Sequence, residues 1–169
     1  MKKKKIFDVV GIMTGTSMDG IDLSYVSTDG VDKIKIYNEK SYQYSLIEKK
    51  YIKKILLNKN YQNNLFKNQD SKISNLLIRY ILKFFKEFKI KKIDYISLSG
   101  QTILHNPNKK ISIQLGNPKI VCNFFKKNVI SNFRSNDINN GGQGAPIGSF
   151  YHKFLLKKIN KKAAIINLG

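Results

Sequence analysis

The chain has 169 residues, of which 41% are hydrophobic, so it is long enough for one domain with a core and short for two. No apolar run approaches the roughly 20 residues of a membrane helix, and the stretch after residues 2–5 is too interrupted for a signal peptide. We therefore expect a cytoplasmic protein with no membrane partner. A single cysteine, Cys122, excludes an internal disulfide and a cysteine metal cluster.

The net charge of +20 raises nucleic-acid binding as one hypothesis, because lysine-rich faces release counterions from a phosphate backbone. Arg79 and Arg134 are the only arginines, however, and arginine is favoured for base contacts and bidentate phosphate contacts. The lysines are spread among many Ile and Asn residues, as a strongly AT-biased coding sequence would produce. A nucleic-acid partner is therefore the weaker alternative, and lysines scattered over the whole surface are predicted.

An apolar run over residues 6–13 predicts a buried strand, and a second strand begins at Ile21. The loop between them is rich in residues whose hydroxyl and N–H groups suit phosphate oxygens, namely Thr14, Gly15, Thr16, Ser17 and Gly20. Asp19 and Asp22 are suited to holding Mg²⁺, which prefers oxygen ligands. The lysine-containing Walker loop is absent from the sequence, and an ordinary polar hairpin turn is the alternative.

The next elements are a third strand, an amphipathic helix, a polar loop and a long helix, predicted at residues 33–44, 46–57, 58–70 and 71–88. Asp70 or Ser71 is predicted to cap the long helix. Its apolar and aromatic residues recur with helical spacing, which indicates a core face and not a cofactor site. This helix is therefore expected to cover the sheet.

Residues 92–98 predict a strand that runs into a polar turn. Later elements are a short strand, a helix and a strand, predicted at residues 111–115, 118–125 and 129–131. In open α/β sheets ligands bind beyond the strand ends, so Gln101, Thr102 and His105 are candidates for substrate hydrogen bonding. A surface turn position is an equal alternative for His105.

Arg134 and Asp137 precede a Gly-Gly-Gln-Gly-Ala-Pro segment at residues 141–146. A glycine-rich turn that opens a helix offers free N–H groups to an anion, and Pro146 suits the first turn of such a helix. Arg134 is suited to a phosphate or sugar contact and Asp137 to a general base. An Asx turn beside a solvated arginine is the alternative.

Two of these segments resemble anhydro-N-acetylmuramic acid kinases, which belong to the sugar kinase, Hsp70 and actin group of ATP-binding folds. The first is the run of twelve residues at 11–22, and the second combines Phe133, Arg134 and Asp137 with residues 141–146. The resemblance implies an α/β fold with an actin-like (ribonuclease H-like) mixed sheet and flanking helices. It also implies ATP and Mg²⁺ as cofactors, bound by Gly15, Thr16, Ser17, Met18, Asp19, Gly20, Ile21 and Asp22.

By the same resemblance, Asp137 is the base that activates water to attack the anomeric carbon of 1,6-anhydro-N-acetylmuramic acid. The freed O6 then receives the γ-phosphoryl group of ATP, while Gln101, Thr102, His105 and Arg134 contact the sugar substrate. The sequence departs from the family pattern at five positions. Ser99 stands where relatives have His, Asn117 and Asn132 where they have Asp, Asn139 where they have Ala, and Ser149 where they have Pro.

The resemblance covers residues 6–169 and predicts two parts, an actin-like domain at 1–130 with the first phosphate loop and an incomplete second domain at 131–169. Residues 163–169 resemble the strand before a second phosphate loop, and family members are about twice as long. The isolated chain is therefore expected to have little kinase activity, and an inactive truncated remnant is the alternative to an active kinase. A second copy of the chain, forming a homodimer, is a further partner hypothesis.

Overall fold

The computed structural model describes residues 5–15, 17–57, 64–159 and 163–166, without the side chains of Asn64, Leu65, Phe150 and Lys158. The strands within these ranges are β1 (Phe7–Thr14), β2 (Gly20–Thr28), β3 (Ile34–Gln43), β4 (Tyr95–Leu98), β5 (Gln101–Asn106), β6 (Ile111–Leu115) and β7 (Asn128–Ser131). The helices are α1 (Leu46–Leu57), α2 (Asn64–Glu87), α3 (Pro118–Phe125), α4 (Phe133–Asn139) and α5 (Ser149–Lys158), with a 3₁₀ turn at Pro107–Lys109.

Five strands form a mixed sheet in the order β3-β2-β1-β4-β7, and β5 and β6 form a separate hairpin. β1 pairs antiparallel with β2, and β2 with β3, while β4 runs parallel to both β1 and β7. The register places Ile12 beside Leu98 and Leu98 beside Ser131, so β1, β4 and β7 end at the same edge of the sheet. The predicted α/β class, with an actin-like mixed sheet and flanking helices, is confirmed.

The core lies between one face of this sheet and the helices α1, α2 and α3. Alternate β1 residues, Val10 and Ile12, are buried there against the apolar stripe of α2, in which Leu77 and Phe84 are fully buried. Each such side chain stabilises the fold by about 1.5–3 kcal/mol through the hydrophobic effect. The opposite face is more open, and Met13 is 56% exposed on it.

Helix α2 begins earlier than the sequence predicted. Residues 64–70, predicted as part of a polar loop, are helical, whereas residues 58–63 lie outside the described part of the chain. Phe66 packs against the core, so the burial of its ring outweighs the low helix propensity of the neighbouring asparagines. The loop prediction was therefore wrong for the segment that carries Phe66.

Asp70 and Ser71 lie inside α2, so the prediction that one of them caps this helix was wrong. The Asp70 Oδ1 atom accepts a hydrogen bond from the Gly116 N–H at 2.8 Å, and the Ser74 hydroxyl accepts one from the Asn117 N–H at 2.7 Å. Side chains of α2 thus satisfy two backbone donors at the turn that opens α3.

The strand expected at residues 163–169 is not formed over residues 163–166, and residues 167–169 lie outside the described ranges. Residues 163–166 are exposed and pair with no described strand, so their backbone groups make no strand hydrogen bonds with the described sheet.

None of the described helices is long and apolar enough to cross a membrane. Exposed lysines occur on strands, helices and turns alike, including Lys35, Lys53, Lys83, Lys110, Lys119 and Lys153.

A capping box that the sequence analysis missed begins helix α1. The Ser45 N–H donates to Glu48 Oε2 at 2.8 Å, and the Glu48 N–H donates to the Ser45 hydroxyl at 3.3 Å. The same carboxylate accepts hydrogen bonds from the Tyr80 hydroxyl at 2.9 Å and from Arg79 at 3.2 Å. Burial raises the pKa of Glu48, but these hydrogen bonds and the charge of Arg79 outweigh it and hold the pKa below its ordinary value.

Replacing Glu48 with alanine is expected to destabilise the chain by about 1–2 kcal/mol at neutral pH, because the carboxylate that accepts the Ser45 N–H and the Tyr80 hydroxyl is lost. A depressed carboxyl pKa stabilises the fold above the ordinary glutamate pKa, and this contribution disappears as the pH falls through the folded-state pKa. Urea unfolding at neutral pH and at about pH 4 should therefore show a smaller difference between wild type and variant in acid. Glu39→Ala, at an exposed position of β3, is the control, and an equal effect of both variants would contradict the assignment.

Candidate active site

Three polar segments leave the sheet at the edge where β1, β4 and β7 end, and two of them are in direct contact. The buried Thr14 hydroxyl donates a hydrogen bond to the Gly100 carbonyl oxygen at 2.8 Å. The Gln101 Nε2 atom donates to the Gly15 carbonyl oxygen at 3.1 Å. The loop after β1 and the turn after β4 are therefore joined, although they are 86 residues apart in the sequence.

The loop after β1 turns tightly and exposes part of its polar surface. The Met18 N–H donates to the Gly15 carbonyl oxygen at 3.3 Å, and Met18 has a left-handed backbone with φ of 58°. Ser17 is exposed, whereas Met18 packs partly against the core. Thr16, also predicted to bind the cofactor, lies outside the described residues.

Gly20 and Ile21, also predicted to bind the cofactor, are the first residues of β2 and have structural roles. A Cβ atom at Gly20 would overlap the carbonyl oxygen of Tyr42 on β3, so glycine is required there by the sheet. The Ile21 side chain is fully buried in the core and offers nothing to a ligand. Among the described residues of the predicted cofactor loop, the Gly15 backbone and the exposed side chains of Ser17 and Asp19 are thus left available.

The structure does not bring Asp19 and Asp22 together. Asp19 Oδ1 lies 3.9 Å from the Nζ atom of Lys49, which belongs to α1 on the covered side of the sheet. Asp22 Oδ1 accepts a hydrogen bond from the Ser41 hydroxyl at 2.5 Å, on the open face. Among the described residues no group of three or more His, Cys, Asp or Glu side chains could hold a metal ion.

Gln101 and Thr102 are buried, with exposed fractions of 1% and 8%, and Gln101 supports the loop after β1. The Gln101 Oε1 atom is buried and has no hydrogen-bond partner within the described ranges. His105 is exposed, lies about 13 Å further along β5 than Gln101, and has its Nδ1 atom 3.0 Å from the Ser112 hydroxyl. The structure therefore separates His105 from the two residues predicted to act with it.

Asp137 lies on α4, a short helix that the sequence analysis did not predict. Its Oδ2 atom accepts a hydrogen bond from the Gly144 N–H at 2.7 Å, and its backbone oxygen accepts one from the Gly142 N–H at 2.8 Å. One helical turn earlier, Arg134 donates from a terminal guanidinium nitrogen to the Gly144 carbonyl oxygen at 2.8 Å. Both side chains thus hold the glycine-rich segment against α4.

The glycine-rich segment does not open a helix directly, which corrects the prediction for Pro146. Helix α5 begins at Ser149 after Gly148, and Pro146 lies before it as the acceptor of a 3.4 Å hydrogen bond from the Ser149 N–H. The segment instead packs on α4, where a Cβ atom at Gly142 would overlap the Asp137 carboxylate. The glycines therefore let the backbone approach that carboxylate.

Comparison with known proteins connects this arrangement to one family. The family model described as Anhydro-N-acetylmuramic acid kinase matches residues 7–169. A curated relative of that name from Pelagibacter ubique is 36% identical, and the alignment covers 98% of this chain and 46% of the relative. Relatives of the same name from Sulfurimonas denitrificans and Bacillus cereus are 34% and 30% identical, with 95% of this chain and 44% and 45% of their own lengths covered.

The chain thus spans somewhat less than half the length of these curated relatives. The match nevertheless includes nearly every described element, from β1 to α5, and both polar segments that flank the candidate site. This chain belongs to the anhydro-N-acetylmuramic acid kinase family.

Proposed function

We propose that this chain forms the part of a cytoplasmic sugar kinase that holds the sugar and the phosphates of ATP. The reaction is the ATP-dependent hydrolytic ring opening of 1,6-anhydro-N-acetylmuramic acid with phosphorylation of O6, a step of peptidoglycan recycling. The observation that carries this proposal is the edge of the sheet where β1, β4 and β7 end together, with the Gly15 loop and the Asp137 helix following two of those strands. The names of the relatives support the reaction class.

In the proposed reaction the Asp137 carboxylate takes a proton from a water molecule whose oxygen bonds to the anomeric carbon. The bond between that carbon and O6 breaks, O6 receives the γ-phosphoryl group, and ADP leaves. Oδ2 of Asp137 already accepts the Gly144 N–H, while Oδ1 has no hydrogen-bond partner within the described part of the chain. Oδ1 is therefore the atom proposed to accept the proton.

The phosphates of ATP are proposed to meet the loop after β1, with the Gly15 backbone and the Ser17 hydroxyl as donors. Of the two candidate Mg²⁺ ligands, Asp19 fits this position, because its side chain is 77% exposed and the residue lies in the Gly15 loop. Asp22 does not fit the same ion, since it is bonded to Ser41 on the open sheet face. A single carboxylate suffices in principle, because Mg²⁺ keeps several waters and binds phosphates as well. Bound there, the ion would neutralise phosphate charge.

The proposal is tested in a completed kinase, in which this chain is followed by the part of the Pelagibacter ubique relative that the alignment does not cover. Incubation with ATP, Mg²⁺ and 1,6-anhydro-N-acetylmuramic acid should yield a sugar that has gained one water and one phosphoryl group, as measured by mass spectrometry. The position of the phosphate at O6 is read by NMR. ATP hydrolysis without sugar phosphorylation, or phosphorylation that leaves the anhydro bridge intact, would refute the proposed function.

Asp19→Asn is expected to raise the KM for Mg-ATP in the completed kinase by roughly tenfold, because the amide loses the charge that attracts the ion. Asp22→Asn is the matched control, since its carboxylate lies three residues away on the other face and should change this KM little. Steady-state kinetics with varied Mg-ATP provide the measurement. Equal effects of the two variants would mean that both carboxylates act on one ion, contrary to the geometry described above.

A further inference from the structure

We infer that Arg134 is a positioning residue, which fixes the Asp137 carboxylate through Gly144 and does not itself contact sugar or phosphate. The inference rests on the proposed function for the catalytic role of Asp137. The contacts of Arg134 and Asp137 with Gly144 can be tested on this chain alone. The inference replaces the direct substrate contact that the sequence predicted for Arg134.

The two side chains hold the two backbone polar groups of a single residue. Arg134 donates to the Gly144 carbonyl oxygen at 2.8 Å, and the Gly144 N–H donates to Asp137 Oδ2 at 2.7 Å. Positions 134 and 137 are three apart on α4 and therefore lie on the same side of the helix. Gly144 is thus held from both ends, and both hydrogen bonds include a charged group, which makes them stronger than neutral ones.

The environment of Arg134 favours this structural contact over a ligand contact. Its Nε atom is buried and has no partner among the described residues, so a bound sugar or phosphate has no access to that donor. Burial also lowers the pKa of the guanidinium below its ordinary value, and arginine still remains charged at neutral pH. An ideal Cβ atom at Gly144 would lie 3.2 Å from the Arg134 Cβ atom, which shows how closely the segment packs on α4.

Fixing Gly144 has a direct consequence for the carboxylate. The N–H of Gly144 occupies Oδ2 and restricts rotation of the Asp137 side chain, which leaves Oδ1 as the free oxygen. If Arg134 is removed, the Gly144 carbonyl loses its charged donor and the segment can move away from α4. The carboxylate then loses its fixed orientation, so the chemical step should slow while sugar binding changes little.

The contacts with Gly144 are tested on the 169-residue chain itself by NMR, with the Gly144 amide as the probe. In Asp137→Asn, the Gly144 amide proton should move upfield, because its hydrogen bond to a charged carboxylate oxygen becomes one to a neutral amide oxygen. In Arg134→Met, the Gly144 amide should move upfield and exchange its hydrogen about tenfold faster or more, as expected from losing a charged hydrogen bond. Arg79→Met, at the other arginine of the chain, is the matched control and should leave the Gly144 amide unchanged.

A Gly144 amide that is unaffected by Arg134→Met would overturn the inference. If that variant does not fold, Arg134→Lys gives the same comparison, since it keeps the charge but shortens the donor. In the completed kinase, Arg134→Met should lower kcat by about tenfold or more with the sugar KM within about twofold, and Arg134→Lys should recover part of the loss. A raised sugar KM with unchanged kcat would instead show direct substrate contact and overturn the inference. Absence of activity in the wild-type completed kinase would refute the proposed function alone, because the Gly144 amide still decides the role of Arg134.

Discussion

Asp137→Asn is expected to lower kcat of the completed kinase by about two to four orders of magnitude, the usual contribution of a general base. The amide is nearly isosteric with the carboxylate, and its oxygen can still accept the Gly144 N–H that now bonds to Oδ2 at 2.7 Å. Its NH₂ group takes the place of Oδ1 and cannot accept a proton from water. The fold and sugar binding should therefore survive while turnover is lost. Coupled ADP assays measure kcat, and calorimetry measures sugar binding.

Asp22→Asn is the control for this prediction, because it removes the same charge from an exposed carboxylate of β2 that lies on the open sheet face. It should leave kcat within about twofold, as is usual for a surface substitution away from the reacting groups. Near-normal turnover of Asp137→Asn would remove Asp137 from the mechanism. A parallel loss of sugar affinity would show that the carboxylate binds the substrate and does not act as a base.

The sheet was predictable because its strands carry local signals. The apolar run of β1 and the glycine-containing loop after it define the first hairpin, and the short apolar run of β4 ends in an equally polar turn. Strands β1 and β4 are parallel neighbours, so the turns that follow them lie at one edge of the sheet, and the proximity of residues 15 and 101 follows from topology. The exact hydrogen bond from Gln101 to the Gly15 carbonyl does not follow, since it depends on side-chain packing.

Two helices were misjudged because tertiary contacts outweigh their local sequence. Asparagine and glutamine before residue 70 suggest a loop, yet Phe66 gains enough burial to extend α2 toward the amino terminus. The α4 sequence consists mostly of Ser, Asn and Asp residues, which favour turns over helix interiors. Its helix is supported by Ile138, which is 2% exposed, and by the contacts of its side chains with Gly144. Such long-range contacts leave no signal in local periodicity.

The polar residues show the same limit for the site. Residue type predicted a ligand contact for Arg134 and a general base at Asp137, but an arginine near a glycine-rich segment can bind either a ligand or the segment itself. Spacing likewise suggested that Asp19 and Asp22 share an ion, whereas one lies near Lys49 beside α1 and the other faces the open side of β2. Whether two such carboxylates can share an ion depends on the face of the sheet to which each side chain points, and the register of the sheet fixes that face.

Gly142→Ala is expected to lower kcat of the completed kinase by about two orders of magnitude or more, close to the effect of removing the base. The new methyl group would overlap the Asp137 carboxylate, which must rotate out of its hydrogen-bonded position to relieve the contact. That rotation gives up one charge-assisted hydrogen bond, so we expect a destabilisation of about 1–2 kcal/mol, less than for a clash with buried groups. The same rotation breaks the hydrogen bond from the Gly144 N–H to Oδ2 and misplaces Oδ1.

Gly144→Ala is the matched comparison, because the same methyl group is added two residues away with a different consequence. Gly144 has a left-handed φ of 67°, and its Cβ would lie 2.8 Å from the buried Ile138 side chain, which cannot rotate away freely. This variant should therefore destabilise the chain by about 2–4 kcal/mol, combining backbone strain and overpacking. Urea unfolding separates the two variants, and steady-state kinetics show whether Gly142→Ala is stable but inactive. A Gly142→Ala enzyme with normal kcat would mean that the observed orientation of the Asp137 carboxylate is not the one used in catalysis.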